Sequence, residues 1–384
     1  MKRLLLIACA ILSLVSVQAK KQPEIRVDGI YYRVDATYAY VIAGKEKYAG
    51  EVVIPDSVLI DTVMYEVAGI DPKAFAGSKD LKKIAYPETV TVIPESAFEG
   101  CKNLREFIIS PYVTEIGKHA FKNCSGLREI ELPDNIRAIR KEAFQGCSSL
   151  KEVEIPYNII QMEAGLFAEC TGLRKVYIQN NRISADEFAN CVALHKLVLS
   201  DNVQSIEKHA FYRCTALSEV EIPFNVTRVD AGVFQGCTGL RKVELHNRVV
   251  SDNMFAGCTS LDEVNFLAPI KTISKGAFSN CGFRSLELPD GVTKIEANAF
   301  ACCKSLQVVI LPVSVQSIGA KAFATCPILA EVICNAVLTP KLGGKAFDGA
   351  SKSLCVRIPI ESMTAYREAS GWKDLPLFLP IEQY

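Results

Sequence analysis

The sequence predicts an α/β-type repeat solenoid: a right-handed coil with a parallel β-sheet on one face, mostly short strands and turns, and little helix. Phenylalanine recurs at intervals of 21 to 24 residues, most often 23. Each interval repeats one pattern of apolar residues, and neither the helical nor the strand period fits that pattern along its whole length. The thirteen anchor phenylalanines are Phe75, Phe98, Phe121, Phe144, Phe167, Phe188, Phe211, Phe234, Phe255, Phe278, Phe300, Phe323 and Phe347.

Each repeat reads Ala-Phe-x-x-Cys-x-x-Leu-x-x-Val-x-Ile-Pro-x-x-Val-x-x-Ile. A chain that turns once per repeat directs these apolar positions to one axial core, and the stacked neighbours complete its burial. Residues 127–132 alternate as a short strand should, with Ile130 and Leu132 inward and Glu129 and Glu131 outward. We therefore expect equivalent strands to stack into one parallel sheet.

A proline follows many of these segments and should end the strand, because proline cannot donate a hydrogen bond to a continuing ladder. The chain then makes a second short apolar segment, such as residues 292–295, and returns through the Ala-Phe turn. The prolines in this position are Pro133, Pro156, Pro223, Pro289 and Pro312.

A block of three repeats is duplicated. Residues 170–176 recur letter for letter as 237–243, which is 67 residues later. The 21-residue repeats start at corresponding places, Phe167 and Phe234, and each should lack the proline and the second apolar segment. This shortening is either a tolerated change in the outer turn or a functional notch in the surface.

Composition and the two ends suggest an exported protein. The 384 residues are 49% apolar with a formal net charge of zero, which argues against disorder and against a basic surface for nucleic acid. Residues 1–19 resemble a signal peptide cleaved after Ala19, and a lipidated Cys9 is the alternative.

Residues 20–70 should form an N-terminal β lead-in and cap, residues 71–350 the repeats, and residues 351–384 a C-terminal cap containing Trp372. No mature segment is long and apolar enough to predict a membrane span.

Eleven of the fifteen cysteines lie three residues after an anchor phenylalanine, where the first and last repeats have Ser78 and Ala350. A small buried side chain therefore suffices at this position, and a thiol is a small apolar group with a weak donor. We predict buried free thiols rather than disulfides. Cys334 should point inward and Cys355 outward, so a bond between these two is not expected.

The sequence indicates no catalytic, cofactor or metal site. It lacks a nucleophile elbow, a phosphate-binding glycine loop and a His-Glu-x-x-His motif, and no Cys-x-x-Cys pair is present. His119 and His209 share a position in the turn, whereas His195 and His246 do not, so the histidines form no ligand spacing. Outward glutamates such as Glu129, which recur along the strands, are expected to form a solvated face rather than an acid and base pair.

The outward sheet face is the predicted binding surface, because one side of this parallel sheet must meet water or a partner. Tyr177 and Val198, flanked by Lys175 and Lys196, interrupt a column of glutamates in mid-sheet. Apolar patches rimmed by charge are where protein interfaces concentrate their binding energy, although strand propensity alone also explains such residues. The candidate partner-binding residues are Ile108, Lys175, Tyr177, Lys196, Val198, Val308, Ile310 and Ile333.

The repeat resembles that of BspA-like bacterial leucine-rich-repeat surface proteins, and residues 203–217, Val-Gln-Ser-Ile-Glu-Lys-His-Ala-Phe-Tyr-Arg-Cys-Thr-Ala-Leu, show the likeness well. The segment 27–55 and the segment 356–372 resemble the family's lead-in and closing cap. The resemblance implies a leucine-rich-repeat fold and an attachment role, but it identifies no binding residue because the matching positions are core residues.

We therefore expect a non-enzymatic, monomeric protein at the cell surface or secreted, which binds a protein ligand of the host extracellular matrix or of another cell. Nucleic acid is not an expected partner, and no cofactor is expected. The alternatives are a surface structural or carbohydrate-handling protein, an enzyme that uses the glutamate columns, and a periplasmic scaffold.

Overall fold

The computed structural model describes residues 25–381, so the predicted signal peptide and Cys9 lie outside the described residues. An N-terminal sheet with the strand order β1-β2-β3-β6-β5 precedes the first anchor phenylalanine. In this sheet β3 and β6 are parallel, whereas the other neighbours are antiparallel. The strands before the first anchor are β1 (Ile25–Val27), β2 (Ile30–Val34), β3 (Tyr38–Val41), β4 (Gly50–Val53), β5 (Ser57–Ile60) and β6 (Val63–Ile70).

The remaining strands alternate between longer strands, mostly of four residues, and strands of two residues. In chain order they are β7 (Leu81–Ala85), β8 (Val92–Ile93), β9 (Glu115–Ile116), β10 (Ala138–Ile139), β11 (Glu152–Ile155), β12 (Gln161–Met162), β13 (Lys175–Ile178), β14 (Arg182–Ile183), β15 (Lys196–Leu199), β16 (Ser205–Ile206), β17 (Glu219–Ile222), β18 (Arg228–Val229), β19 (Lys242–Leu245), β20 (Glu263–Phe266), β21 (Thr272–Ile273), β22 (Ser285–Glu287), β23 (Lys294–Ile295), β24 (Val308–Leu311), β25 (Ser317–Ile318), β26 (Glu331–Cys334), β27 (Lys341–Leu342), β28 (Cys355–Ile358) and β29 (Leu377–Pro380).

The coil makes one turn per repeat, as predicted, and its strands stack in parallel. The longer strands pair with one another along one side of the coil, and the two-residue strands pair with one another along another side. Pro156, Pro223 and Pro312 each follow directly on a longer strand, in agreement with their predicted role. Little helix is present: the helical elements within residues 25–381 are α1 (Met363–Glu368) and two 3-10 turns at Ile360–Ser362 and Trp372–Asp374.

The prediction of one continuous sheet is wrong. The longer strands form separate parallel sheets, β4-β7, β11-β13-β15, β17-β19-β20 and β22-β24-β26-β28-β29. Residues 127–132, which the sequence assigned to a strand, lie outside the ladder, as do residues 104–109. Their side chains nevertheless alternate as predicted, with Ile130 buried and Glu129 and Glu131 exposed.

A bulky inward side chain explains the first interruption. Phe107 occupies an inward position that valine, isoleucine or leucine fills in most repeats, and its ring lies edge-on to Phe98 at 4.9 Å and to Phe121 at 4.6 Å. The larger ring requires more room between core and backbone, so the segment does not reach the ladder geometry. Two further interruptions lie between β15 and β17 and before β22. The one before β22 follows a repeat that is one residue shorter between Cys281 and the strand, where Phe283 takes the place of the usual leucine.

The anchor phenylalanines form a continuous stack along the axis. Successive rings from Phe75 to Phe347 lie 5.0 to 5.7 Å apart between centroids and are within 13° of parallel. Every ring from Phe75 to Phe323 is fully buried. Each one packs against its neighbours in the adjacent coils, so the burial of one repeat depends on the next.

The eleven repeat cysteines are free and buried, as predicted. Each thiol donates a hydrogen bond to the backbone oxygen of the anchor phenylalanine in the preceding coil, with sulfur-to-oxygen distances of 3.0 to 3.4 Å. Burial raises the pKa of the Cys101 and Cys237 thiols to about 12, which keeps them protonated as donors. Cysteine at this position therefore combines a small apolar volume with a donor for the turn backbone.

The Ala-Phe turn requires left-handed backbone at two positions. The residues two before and two after all thirteen anchors have positive φ, and they range from glycine and asparagine to lysine and threonine. His119 and His209 occupy the first of these positions, two residues before the anchor. The residue type varies there from repeat to repeat, whereas the left-handed backbone conformation does not. Most side chains adopt this conformation at a cost, which the stacking of neighbouring coils offsets.

The two shortened repeats differ from the prediction in one respect. The first retains its second apolar segment as β14, which pairs with β16, whereas residues 246–251 of the second form no strand. Both short turns contain a buried asparagine. The Asn180 amide donates to the backbone oxygen of Ile159 at 2.7 Å, and the Asn247 amide donates to that of Val249 at 3.1 Å. A side-chain amide thus satisfies backbone groups where a strand would otherwise do so.

Aromatic residues continue the stack into both ends. At the N-terminal end, the Tyr48 ring lies 4.5 Å from Phe75. At the C-terminal end, Trp372 is fully buried, lies 6.2 Å from Phe347, and donates from Nε1 to the backbone oxygen of Pro340 at 2.7 Å. The structure therefore places Trp372 in the core as a packed residue, and it is not available to stack on a ligand.

Candidate binding surface

The outward side chains of the longer strands lie in the predicted columns. Strand pairing places Glu154 beside Tyr177 and Tyr177 beside Val198. In the same register, Lys175 lies beside Lys196 on the next strand. Four of the predicted residues are therefore neighbours on β13 and β15, and we call Lys175, Tyr177, Lys196 and Val198 the mid-sheet patch.

The mid-sheet patch combines an exposed apolar side chain with two cations. Val198 is 41% exposed, whereas Tyr177 is half-buried. The Lys196 ammonium lies 5.4 Å from the centre of the Tyr177 ring, and Lys175 Nζ lies 3.4 Å from a carboxylate oxygen of Glu152. Like charges directly opposite each other on neighbouring strands repel. The cation–π contact and the ion pair offset this repulsion, so the two lysines can remain side by side within an otherwise acidic face.

The C-terminal group is less accessible than the sequence suggested. Val308, Ile310 and Ile333 were expected to form an exposed apolar patch, but all three are half-buried. Ile310 lies between Glu287 and Ile333 in the ladder, and side chains on strands about 4.8 Å apart cover one another. Ile310 lines a groove of about 350 Å³ where the sheet is interrupted between β20 and β22.

Ile108 is isolated from the other candidates. It is 80% exposed, as its outward position predicted, but it belongs to the segment that lies outside the ladder. Two repeats, with the exposed Glu131 and Glu154 in its column, separate it from Tyr177. The structure therefore does not combine Ile108 and the mid-sheet patch into one surface.

Exposed aromatic residues at the sheet edge were missed by the sequence reasoning. Tyr112, Tyr157 and Phe224 each follow the proline at the end of an outward segment and are 51%, 69% and 67% exposed. Tyr157 and Phe224 occupy the same position in the two copies of the duplicated block. An aromatic residue directly after the proline is the sequence signal that could have identified them.

The second shortened repeat has a cleft beside its outer turn. The cleft has a volume of about 340 Å³, and its lining includes Arg248, Val250, Pro269 and Lys271. It lies where residues 246–251 form no strand, and so coincides with the notch that the shortened repeat suggested.

The acidic columns contain one group of mixed ligands within residues 25–381. Glu221 on β17 pairs with Glu244 on β19, and His246 directly follows β19. Their ligand atoms lie within 4.8 Å of one another. A hydrogen bond from Lys242 lowers the pKa of Glu244. The positions of the histidines in the sequence did not indicate this group, because Glu221 belongs to one coil and Glu244 and His246 belong to the next.

The family comparison identifies the repeats. Residues 68–187, 181–281 and 246–354 match the profile described as "BspA type Leucine rich repeat region", which has six copies in this chain. No curated protein matches the chain.

Within residues 25–381, no helix combines the length and apolar character needed to cross a membrane.

Solved structures show the same architecture. A leucine-rich repeat protein from Bacteroides ovatus is 26% identical, covers 94% of this chain and 100% of its own, and superimposes with a TM-score of 0.72. The pneumococcal vaccine antigen PcpA is 16% identical over 94% of this chain and 99% of its own, with a TM-score of 0.51. PcpA supports the fold alone, and the Bacteroides structure is the nearer of the two in both sequence and shape.

Proposed function

The chain belongs to the BspA-type leucine-rich-repeat family, and on this premise we propose that it is an exported, non-enzymatic and monomeric recognition protein at the cell surface or secreted. It binds a protein ligand of the host extracellular matrix or of another cell through the outward face of its longer strands. Nucleic acid is not a partner, because the chain has no net positive charge.

The mid-sheet patch is the observation that carries the proposal. Tyr177 and Val198 lie side by side where glutamates occupy the neighbouring positions, and Val198 is exposed. An aromatic ring with limited conformational freedom loses little entropy on binding, and an aliphatic neighbour adds apolar area to the contact. The Lys196 ammonium over the Tyr177 ring adds a cation at the rim, which suits a partner with acidic groups around an apolar side chain.

Equilibrium binding to a panel of purified matrix proteins tests this proposal. Replacement of Tyr177 or Val198 by alanine should weaken binding of the best ligand by about 2 kcal/mol, or roughly 30-fold, if both side chains are buried in the interface. Val198→Glu should weaken it further, because it restores the acidic column and places a carboxylate at the apolar contact.

Lys208→Ala provides the matched control, since Lys208 is exposed on the Ala-Phe turn and not on the sheet. This variant should bind as the unsubstituted chain does. Equal affinities of the Tyr177, Val198 and Lys208 variants would exclude the mid-sheet patch as the binding surface.

A further inference from the structure

Glu221, Glu244 and His246 converge on the outward face in the first and second repeats after Val198. The two glutamates are directly opposite each other on paired strands, and His246 follows Glu244 by two residues, so its ring extends over the same edge. Two carboxylates and an imidazole form a mixed oxygen and nitrogen set, which differs from the solvated acidic pairs elsewhere on this face.

His246 is the residue that distinguishes this group. The His246 side chain is 37% exposed, but its Nε2 atom is buried and has no hydrogen-bond partner within residues 25–381, although it lies 3.2 Å from a carboxylate oxygen of Glu221. A buried polar nitrogen normally has a hydrogen-bond partner, and here carboxylate oxygens of Glu221 and Glu244 lie within 4.8 Å of it instead.

We propose that Glu221, Glu244 and His246 bind one divalent transition-metal ion of the zinc class. Zinc binds imidazole nitrogen at about 2.0–2.1 Å and carboxylate oxygen at about 2.0–2.2 Å, and a tetrahedral ion therefore separates its ligand atoms by about 3.3 Å. The His246 nitrogen and the Glu221 oxygen are already at 3.2 Å. Calcium and magnesium favour six or more oxygen ligands and do not favour imidazole. Three protein ligands leave a fourth position, which faces the solvent because Glu221 is exposed.

The duplicated block provides an internal comparison. Sixty-seven residues earlier, the corresponding positions are Glu154, Tyr177 and Gln179, and the Gln179 amide donates to the Glu154 carboxylate. The first copy therefore retains one of the three ligands and satisfies it with an amide. The chain therefore contains this arrangement of coils twice. The second copy has all three candidate metal ligands, and the first copy has only one of them.

Lys242 is the competing cation at this position. Its Nζ lies 2.9 Å from one carboxylate oxygen of Glu244 and 3.6 Å from one of Glu263. A bound metal ion would be close to this ammonium, and like charges at short distance repel. Removal of the lysine charge should therefore tighten metal binding, an effect that a purely structural role of the three ligands does not predict.

Calorimetric titration of the tag-free chain with zinc chloride tests the proposal, with cobalt(II) as the spectroscopic probe. We expect one ion per chain. His246→Gln, which reproduces Gln179, and Glu244→Gln should each weaken binding by about 10-fold or more. Lys242→Ala should strengthen binding, and His209→Gln, which changes a histidine outside the group, should leave it unchanged. Circular dichroism shows whether each variant remains folded.

Three outcomes would overturn the proposal. The first is the absence of zinc binding to the folded chain, and the second is binding that His246→Gln leaves intact. The third is an intense thiolate-to-cobalt charge-transfer band, which would assign the ion to cysteines rather than to the carboxylates and the imidazole.

Discussion

At the residue scale, Glu187 is the one carboxyl group within residues 25–381 that is fully buried. It stands directly before the anchor Phe188, where most repeats have alanine, and its Oε2 accepts hydrogen bonds from the Ser184 backbone nitrogen at 2.6 Å and the Ser184 hydroxyl at 2.8 Å. Its other oxygen has no partner within those residues. Burial raises its pKa to about 7, although the hydrogen bonds from Ser184 and the charge of Arg182 act in the opposite direction.

This pKa predicts a pH-dependent stability. Below pH about 4.5 both the folded and the unfolded chain are protonated at Glu187, and the buried acid is tolerated. As the pH rises towards 7, the unfolded chain ionises first, so the free energy of unfolding falls by roughly 3 kcal/mol and then becomes constant. Glu187→Gln should remove this decrease. Thermal unfolding of both proteins across this pH range measures it, and parallel profiles of the two proteins would contradict the account.

The same scale shows why certain residues could not be recognised from the sequence. The left-handed turn positions contain lysine, histidine, glutamate and threonine as well as glycine, so composition does not indicate their backbone conformation. Similarly, no second histidine lies near His246 in the sequence at a spacing typical of metal ligands. Its carboxylate neighbours are fixed only by the register of β17 with β19, which the sequence does not specify to the residue.

At the scale of the elements, the eleven repeat cysteines, which we call the thiol ladder, join one coil to the next. Each buried thiol donates to the turn of the preceding coil, and the cysteines outside the ladder differ in exposure. Cys302 lies at a left-handed turn position and Cys355 on the outward face of β28, and both are partly exposed.

Thiol reactivity should follow this division. In the native chain we expect fast reaction of Cys302 and Cys355 with an aromatic disulfide reagent, because the remaining thiols are buried and burial raises the pKa of most of them. All fourteen thiols of residues 25–381 should react after denaturation without reductant. A lower total would show that disulfides are present, and fast reaction of the whole ladder would show that the coils open readily.

The elements also show how much of the fold the sequence could predict. The anchors, the inward thiols and the strand-ending prolines were predictable because they recur in many repeats. The interruptions of the sheet were not, because two of the three depend on single departures from the repeat, the ring of Phe107 and the missing residue before Phe283. The column of outward residues was predicted, whereas the exposure of Ile310 and Ile333 depended on the side chains packed beside them.

At the scale of the whole molecule, the aromatic stack runs from Tyr48 to Trp372, and each coil is buried mainly by its two neighbours. The Trp372 ring covers the last anchor and its indole satisfies a backbone oxygen of the final coil. A solenoid of this kind loses stability locally when an end is uncovered, because its energetics depend on contacts between adjacent repeats.

Trp372→Ala should therefore destabilise the C-terminal coils first, with a local cost of about 3–5 kcal/mol. Hydrogen exchange followed by mass spectrometry should show faster exchange around Phe347 and Phe323, while the coils around Phe98 remain protected. Uniform acceleration along the chain would mean that the solenoid unfolds as one cooperative unit instead.

The central claim is that the outward sheet face, at the mid-sheet patch, is the binding surface. Site-specific photo-cross-linking to the matrix protein that binds best tests it most directly, with the cross-linking residue placed at position 177, at position 198 or, as the control, at position 208 on the turn. The account predicts cross-links from 177 and 198 and none from 208. Cross-links from position 208 alone would contradict it.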